Sequence, residues 1–371
     1  MRPAEMIFDC SGVGPGGISR VLSEVVRHWP AGQRLRLVAV PPSWESPAES
    51  GAEVVVISRQ AADRARAVAS ATAALRRVTA EARQEAGVRV LSLSPSVALV
   101  GSQLPVTTIV HDLAFRLWPH DLPTSVRQYR RASYATAINR SRQLLCVSAR
   151  TRHDLLGLYG VPEHRSSVWY PGSDVQGVTG SVASELAART GGVLPYLLVA
   201  GHAAHKGVEL AVEALAELPG LVLAVLTGGQ RIARFADAVA ASPAADRVLL
   251  LDRLSDADYA ATVAGAAAFL MPSHFEGYGL PAAEALRLGT PTVISPDPAL
   301  LEATDGRAVR MTTWTAPALV RAVSEAVGGP RPQAGAAGRS WRDATTHLAD
   351  LLATDPAPEV RMMSQTTGKQ A

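Results

Sequence analysis

Short apolar runs rich in Val, Ile and Leu recur along the chain, and stretches with helical spacing of apolar positions separate most of them. Such runs suit strands buried on both faces, and their alternation with helices is the pattern of parallel α/β architecture. In the first half the runs are Glu5–Cys10, Arg34–Val40, Val54–Ile57, Val88–Leu93, Val106–Val110, Leu144–Val147 and Ser167–Trp169. In the second they are Tyr196–Ala200, Val222–Thr227, Val248–Leu251, Ala267–Met271, Thr292–Ser295 and Arg307–Met311. Each half has strands enough for its own doubly wound sheet. Periodicity lapses at Pro171–Gly180, where Gly, Ser and Asp cluster, so a linker is expected there. A second break at Pro330–Gly338 precedes an expected helix from about Ser340 to Leu352. The expected division is a first domain over 1–175, a second over 176–337, a helix over 338–353 and a disordered polar tail over 354–371.

Composition narrows the class. With 47% hydrophobic and 19% charged residues over 371 positions, the chain reads as a well-packed protein of two ordinary domains. Residues 1–175 hold 21 Arg against 14 acids, whereas 176–371 hold 15 Lys or Arg against 19 acids. A basic first half fits an anionic substrate or a membrane surface. Aromatic residues make up 5% and nowhere interleave with basic ones, so nucleic acid is not an expected partner. Cys10 and Cys146 end strand-like runs and read as buried reduced thiols. The start of the chain lacks a signal-peptide pattern, and the most apolar stretch, Ala260–Met271, is too short to span a bilayer. A cytoplasmic protein is expected.

Candidate chemistry collects in the loops that follow strands. Gly12-Val13-Gly14-Pro15-Gly16-Gly17 fits GxGxxG between a strand and a helix. A dinucleotide fingerprint also wants an acid closing the second strand, and Ala39-Val40-Pro41-Pro42 offers none. The loop is then either a phosphate approach at a helix N-terminus or a plain tight turn. His111-Asp112 closes an apolar strand at the edge where open parallel sheets bind ligands, with a structural role as the alternative. His202, His205 and Lys206 lie between a strand and a helix with Leu210, Ala214 and Leu218 as its buried stripe. A cation at a helix N-terminus opposes the helix dipole, so Lys206 points to an anionic ligand.

The most informative segment is MPSHFEGYGLPAAEALRLGTPTVIS. A strand ends at Pro272, Glu276 to Gly279 form a loop, Pro281 suits the first helical turn and Gly289 ends the helix. Gly277 and Gly279 would let the backbone press on a ligand. Glu276 and Glu284 could each accept hydrogen bonds from a hydroxyl pair, one on a sugar and one on a ribose. The alternative, a capping Glu276 and a surface Glu284, leaves those glycines unexplained. Asp256-Ala257-Asp258 spells DxD, a metal-binding pattern in other transferases, but after Ser255 it reads as a helix cap. The arginines from Arg59 to Arg83, and Arg127, Arg130 and Arg131, read by default as solvated helix faces.

Together these residues resemble the family-four GT-B glycosyltransferases, a large retaining group that includes bacterial mannosyl- and N-acetylglucosaminyltransferases. FEGYGLPAAEALRLGTPTV is similar to that family's FEGFGLPxxEAxxxGxPVV signature, with the same spacing from Glu276 to Glu284. GPGGISR, IVHDLAF and LLCVSARTRHDLLGLYGVP resemble its other motifs in the same order, and the likeness covers residues 5 to about 350. The resemblance implies two Rossmann-like domains facing across a cleft, with the C-terminal helix crossing back to the first. It implies that Glu284 holds the nucleotide ribose, Glu276 the donor-sugar hydroxyls, and Gly16, Gly17 and Lys206 the diphosphate, with His111 near the sugar. The expected donor set is Gly16, Gly17, His202, His205, Lys206, Arg253, Leu254, Glu276, Gly277, Tyr278, Gly279, Leu280 and Glu284. His111, Lys206 and Glu276 make up the expected catalytic centre. No metal and no cofactor are expected beside the nucleoside diphosphate sugar itself.

The family's usual phosphate-loop arginine is absent from GHAAHK, so His202 or His205 is expected to substitute, and Asn-Gly-Val-Asp at the domain junction becomes Pro171-Gly172-Ser173-Asp174. The implied reaction moves a glycosyl group to a hydroxyl acceptor with retained configuration, by front-face displacement in which the leaving diphosphate helps deprotonate the acceptor. A sugar-nucleotide epimerase or hydrolase, or a non-catalytic sugar-nucleotide-binding protein, are the rival readings on the same scaffold.

Overall fold

The computed structural model describes residues 5–354 except 15, 176–177, 193, 202, 228–232 and 336–337. The expected tail beyond Thr354 and the candidate ligand His202 lie outside the described residues. In the first half, β1 (Glu5–Asp9), α1 (Gly17–Arg27), β2 (Arg34–Val38), β3 (Glu53–Val56), α2 (Arg64–Glu81) and β4 (Arg89–Ser92) come first. Next are β5 (Val106–Val110), α3 (Ala114–Leu117), α4 (Thr124–Arg140), β6 (Ser141–Cys146), α5 (Ala149–Tyr159) and β7 (Ser166–Val168). The second half opens with α6 (Ser184–Thr190), β8 (Tyr196–Ala200), α7 (Val208–Leu215), β9 (Val222–Leu226), α8 (Ala233–Ala241) and β10 (Val248–Leu251). It continues with α9 (Asp256–Gly265), β11 (Ala268–Met271), α10 (Leu280–Arg287), β12 (Thr292–Ile294), α11 (Pro298–Ala303), β13 (Val309–Arg310), α12 (Ala316–Gly328) and α13 (Trp341–Thr354).

The strands form two sheets, β3-β2-β1-β4-β5-β6-β7 and β10-β9-β8-β11-β12-β13, in which every neighbouring pair runs parallel. The α/β class with two Rossmann-like domains is therefore as expected. Most strands match their apolar runs to within two residues, and the largest departure is β6, which begins at Ser141 rather than Leu144. Its polar start is accommodated by a buried hydroxyl pair, Thr108 Oγ1 to Ser141 Oγ at 2.7 Å, and by a register shift at Val106/Thr107.

Strand order positions the site. In an open parallel sheet the crevice lies beyond the carboxyl ends of the strands where the winding reverses. Here β1 stands between β2 and β4, and β8 between β9 and β11. The loops leaving β1 and β8 are the glycine loop and the segment from Gly201 to Lys206, so both switch points carry candidate phosphate loops. α13 then returns to the first domain: Trp341, Ala344, Leu348, Ala349 and Leu352 join Phe8, Leu22, Val25 and Trp169 in one core. Trp169 Nε1 donates to the Ala344 carbonyl at 2.8 Å, and Arg89 to that of Leu352 at 2.6 Å. Gly172 is required for the crossing, because a Cβ there would overlap the Trp341 backbone.

Candidate active site

Lys206 enters the cleft from a short turn held by glycines at both ends. Gly201 has φ 144°, and a Cβ there would stand 2.5 Å from Lys206 Cβ, so the lysine stem lies against bare backbone. Gly207, at φ 70°, starts α7 in the left-handed region. From this turn Lys206 Nζ donates to both oxygens of Glu276, at 2.7 and 2.8 Å. The Glu276 side chain is 7% exposed and that of Lys206 25%, so the pair is shielded without being sealed. It lines a cavity of about 320 Å³ shared with Asp112, Trp118 and Arg130 of the first domain.

Glu284 lies inside α10, its carboxylate enclosed by protein. Tyr259 on α9 donates to Oε2 at 2.9 Å, and Arg20 Nε on α1 of the other domain approaches Oε1 at 3.2 Å. Burial holds this carboxyl above the usual range, against the pull of Arg20 and Tyr259. Burial, with Glu284 beside it, also raises the Tyr259 hydroxyl, which stays a proton donor.

The two glycines between these acids make close approaches to protein. A Cβ on Gly277 would overlap the His111 carbonyl, and Ser148 Oγ and Thr151 Oγ1 donate to the Gly277 carbonyl at 2.6 and 3.0 Å. Gly279 caps α10 at φ 109°, a position that favours glycine, and lies against Leu300. The glycines read in the sequence as pressing on a ligand thus bring this loop against the first domain and let α10 begin. Tyr278 between them is 8% exposed and sits 6.1 Å from the Tyr170 ring, inside the core that joins the domains. Leu280 packs on that same core.

His111 Nε2 stands 2.7 Å from the Leu93 carbonyl, and burial pushes the imidazole below its usual range. In the neutral ring Nε2–H then donates to Leu93, which leaves Nδ1 as the free acceptor. His205 has its ring committed: Nδ1 lies 2.6 Å from Asp121 Oδ2, which also accepts the His205 backbone N–H at 2.9 Å. Arg253 is exposed after β10, and Leu254 packs on the second-domain core. Just before α1 and at its first residue, Cβ atoms on Gly14, Gly16 and Gly17 would meet nothing within 4 Å, so these three glycines border open space. The DxD segment forms the helix cap expected of it: Asp258 N donates to Ser255 Oγ at 3.1 Å, and Ser255 Oγ to Asp258 Oδ2 at 2.8 Å.

Four contributors were not picked out from the sequence. Arg130, read there as part of a solvated face, turns toward Asp112 at 3.5 Å and lines the cavity. Asp121 holds His205, and Asp297 accepts the Glu276 backbone N–H at 3.3 Å. Asp297 stands directly before Pro298, a helix-start signal that a closer reading would have caught. Arg20 ends the GPGGISR motif itself.

With this geometry, likeness to known proteins has a structural meaning. Residues 15–176 match the model for Glycosyltransferase Family 4, and residues 193–308 the model for Glycosyl transferases group 1. A D-inositol 3-phosphate glycosyltransferase of Xylanimonas cellulosilytica is 32% identical over 208 residues, 51% of this chain and 49% of that one. The match therefore spans about half the length of that curated relative. Among solved structures, Anabaena HepE in complex with UDP and glucose superposes with a TM-score of 0.65 at 16% identity, over 94% of this chain and 99% of that one. A UDP-forming α,α-trehalose-phosphate synthase from Burkholderia xenovorans gives 0.64 at 13% identity, over 96% and 100%. These two likenesses concern the fold. The two matched domains, each with its own parallel sheet, and the returning C-terminal helix agree with one assignment: the chain belongs to the family-four glycosyltransferases of GT-B fold.

Proposed function

We propose that the protein transfers a glycosyl group from a nucleoside diphosphate sugar to a hydroxyl acceptor, with retained anomeric configuration and without a metal. The observation that carries this reading is the Lys206–Glu276 pair, which neutralises itself at the base of the cleft between two switch-point loops. An arriving diphosphate offers Lys206 a stronger anionic partner. Glu276 is then released to accept hydroxyl hydrogens from the donor sugar. Amides of the glycine loop and the α1 N-terminus add partial positive charge from the opposite domain. His111 Nδ1, free of the Leu93 contact, is the ring atom able to accept a hydrogen bond from the sugar. Stabilising charge on the departing diphosphate is the main protein contribution, worth ~3–4 kcal/mol for each well-placed donor.

No helix among the described residues is long and apolar enough to cross a membrane. Both cysteines are free and buried, which suits a reducing compartment, and we place the reaction in the cytoplasm. Because the HepE crystals hold UDP and glucose, UDP-glucose heads the donor panel, followed by GDP- and dTDP-sugars. Inositol phosphates head the acceptor panel because of the curated relative.

The test is turnover of that panel with EDTA present, with the anomeric configuration of the product read by NMR. Transfer with retention and insensitivity to EDTA are expected. Lys206→Ala should lower kcat by about 10²- to 10³-fold, as when one transition-state donor is lost. Rescue of EDTA-treated enzyme by Mn²⁺ would overturn the metal-free mechanism. Donor breakdown that ignores every acceptor would favour a hydrolase or epimerase, and donor binding without turnover a carrier.

A further inference from the structure

A diphosphate in this cleft carries more negative charge than its loop can meet. Between Gly201 and Gly207 the permanent cation is Lys206, already shared with Glu276, and the His205 ring is held by Asp121. A second cation reaches the site from the opposite domain. Arg20 closes the first turn of α1, directly after the open glycine loop, with its side chain 24% exposed. Its Nε faces Glu284 Oε1 at 3.2 Å, yet among the described residues neither atom completes a hydrogen bond. Glu24 on its own helix and Asp256 on α9 add negative charge around the guanidinium. The pair is thus an electrostatic contact without settled hydrogen-bond geometry, of the kind a ligand can exchange.

We propose that Arg20 is a phosphate-binding residue for the donor, delivered by the first domain and supplying the second positive charge that the GHAAHK loop lacks. The proposal rests on the nucleoside diphosphate reading above. When ribose hydroxyls occupy Glu284, Arg20 loses its partner while the 5′-phosphate of the same nucleotide comes within the swing of its side chain. The planar guanidinium can then grip two phosphate oxygens through parallel N–H groups, a fixed fork that a lysine lacks. Without nucleotide, the same cation partly neutralises the buried Glu284 carboxylate across the cleft.

A plain strut between domains would act on Glu284 and on closure, and so would affect a nucleoside and its diphosphate alike. A phosphate ligand affects the diphosphate alone. Calorimetry on the full chain with UDP, GDP, ADP and dTDP, each beside its own nucleoside, separates the two. For the tightest pair, Arg20→Gln should weaken the diphosphate by about 10- to 100-fold, the loss of one charge-assisted hydrogen-bond set. Nucleoside affinity should hold or improve, since Glu284 is released. Arg20→Lys, which keeps the charge and loses the fork, should fall between, and it serves as the measured variant if Arg20→Gln does not fold. Equal losses for nucleoside and diphosphate, or no loss in either, overturn the role of Arg20. If the wild type binds none of the four diphosphates, it is the donor reading that fails.

Discussion

The acids of the FEGYGLPAAEA segment show how one residue type takes two roles through its surroundings. Glu276 borders the cavity and meets the partly exposed Lys206 ammonium, whereas Glu284 is enclosed by Tyr259 and Arg20. Glu276→Gln should therefore leave affinity for the free nucleoside diphosphate nearly intact and lower turnover of the whole donor. Glu284→Gln should weaken the nucleoside diphosphate itself. Calorimetry beside kinetics tests the division, and equal effects in both variants would refute it. Glu284 also carries a cost in stability. Its carboxyl is raised by burial, so between the unfolded and folded pKa the native state binds more protons than the unfolded chain. Stability then falls as pH rises through that window, and the deficit persists at neutral pH. Glu284→Gln should accordingly melt higher than wild type at neutral pH, with the gain shrinking as pH drops into the carboxylate range. Thermal melts across pH measure this, and a variant that melts lower at neutral pH would mean that the Arg20 contact outweighs the burial penalty.

At the level of elements, the loop between β11 and α10 is a joint as much as a ligand site. Its Gly277 carbonyl accepts from Ser148 and Thr151 at the start of α5, and α11 returns the contact, with Glu302 accepting the backbone N–H groups of Ala149 and Arg150 at 2.6 and 2.9 Å. Gly277→Ala places a methyl into the His111 carbonyl, so the domains must part. Turnover should fall roughly 10²-fold, as for an ångström-scale misplacement of reacting groups, while nucleoside diphosphate affinity changes little. Turnover within twofold of wild type would show that the contact has slack. This joint also marks where sequence reading stops. Apolar runs located the strands and β-α alternation the two sheets, because both signals are local. The signature glycines were legible as close-approach positions, but what Gly277 approaches, His111 with Ser148 and Thr151, belongs to chain more than a hundred residues away. Asp121, which binds His205, and Arg20, which binds Glu284, were missed for the same reason: each acts across the cleft. The polar start of β6 escaped because its buried hydroxyl pair forms only once β5 is alongside.

For the molecule as a whole, the returning helix decides which residues form a folding unit. α13 follows the second domain in sequence, yet Trp341, Leu348 and Leu352 are fully buried in the core of the first. The junction is fastened on both sides of the crossing: Ser173 N donates to the Arg339 carbonyl at 3.0 Å, and Trp341 N to Asp174. An apolar side chain so enclosed contributes mainly by burial, and emptying its site leaves a cavity that the neighbouring Trp169 and Gly172 have little freedom to close. Trp341→Ala should therefore cost about 3–5 kcal/mol, a loss that falls on the first domain although the residue lies at the far end of the chain. At ~2–4 °C for each kcal/mol in domains of this size, the melting point should drop by roughly 10 °C. Arg342→Ala, on the exposed side of the same helix, should leave it nearly unchanged. Nucleoside diphosphate should still raise the melting point of Trp341→Ala if its ligands in the second domain stay folded. Scanning calorimetry with and without nucleotide distinguishes these outcomes, and a Trp341→Ala midpoint within two degrees of wild type would mean that α13 is fastened by its backbone contacts alone.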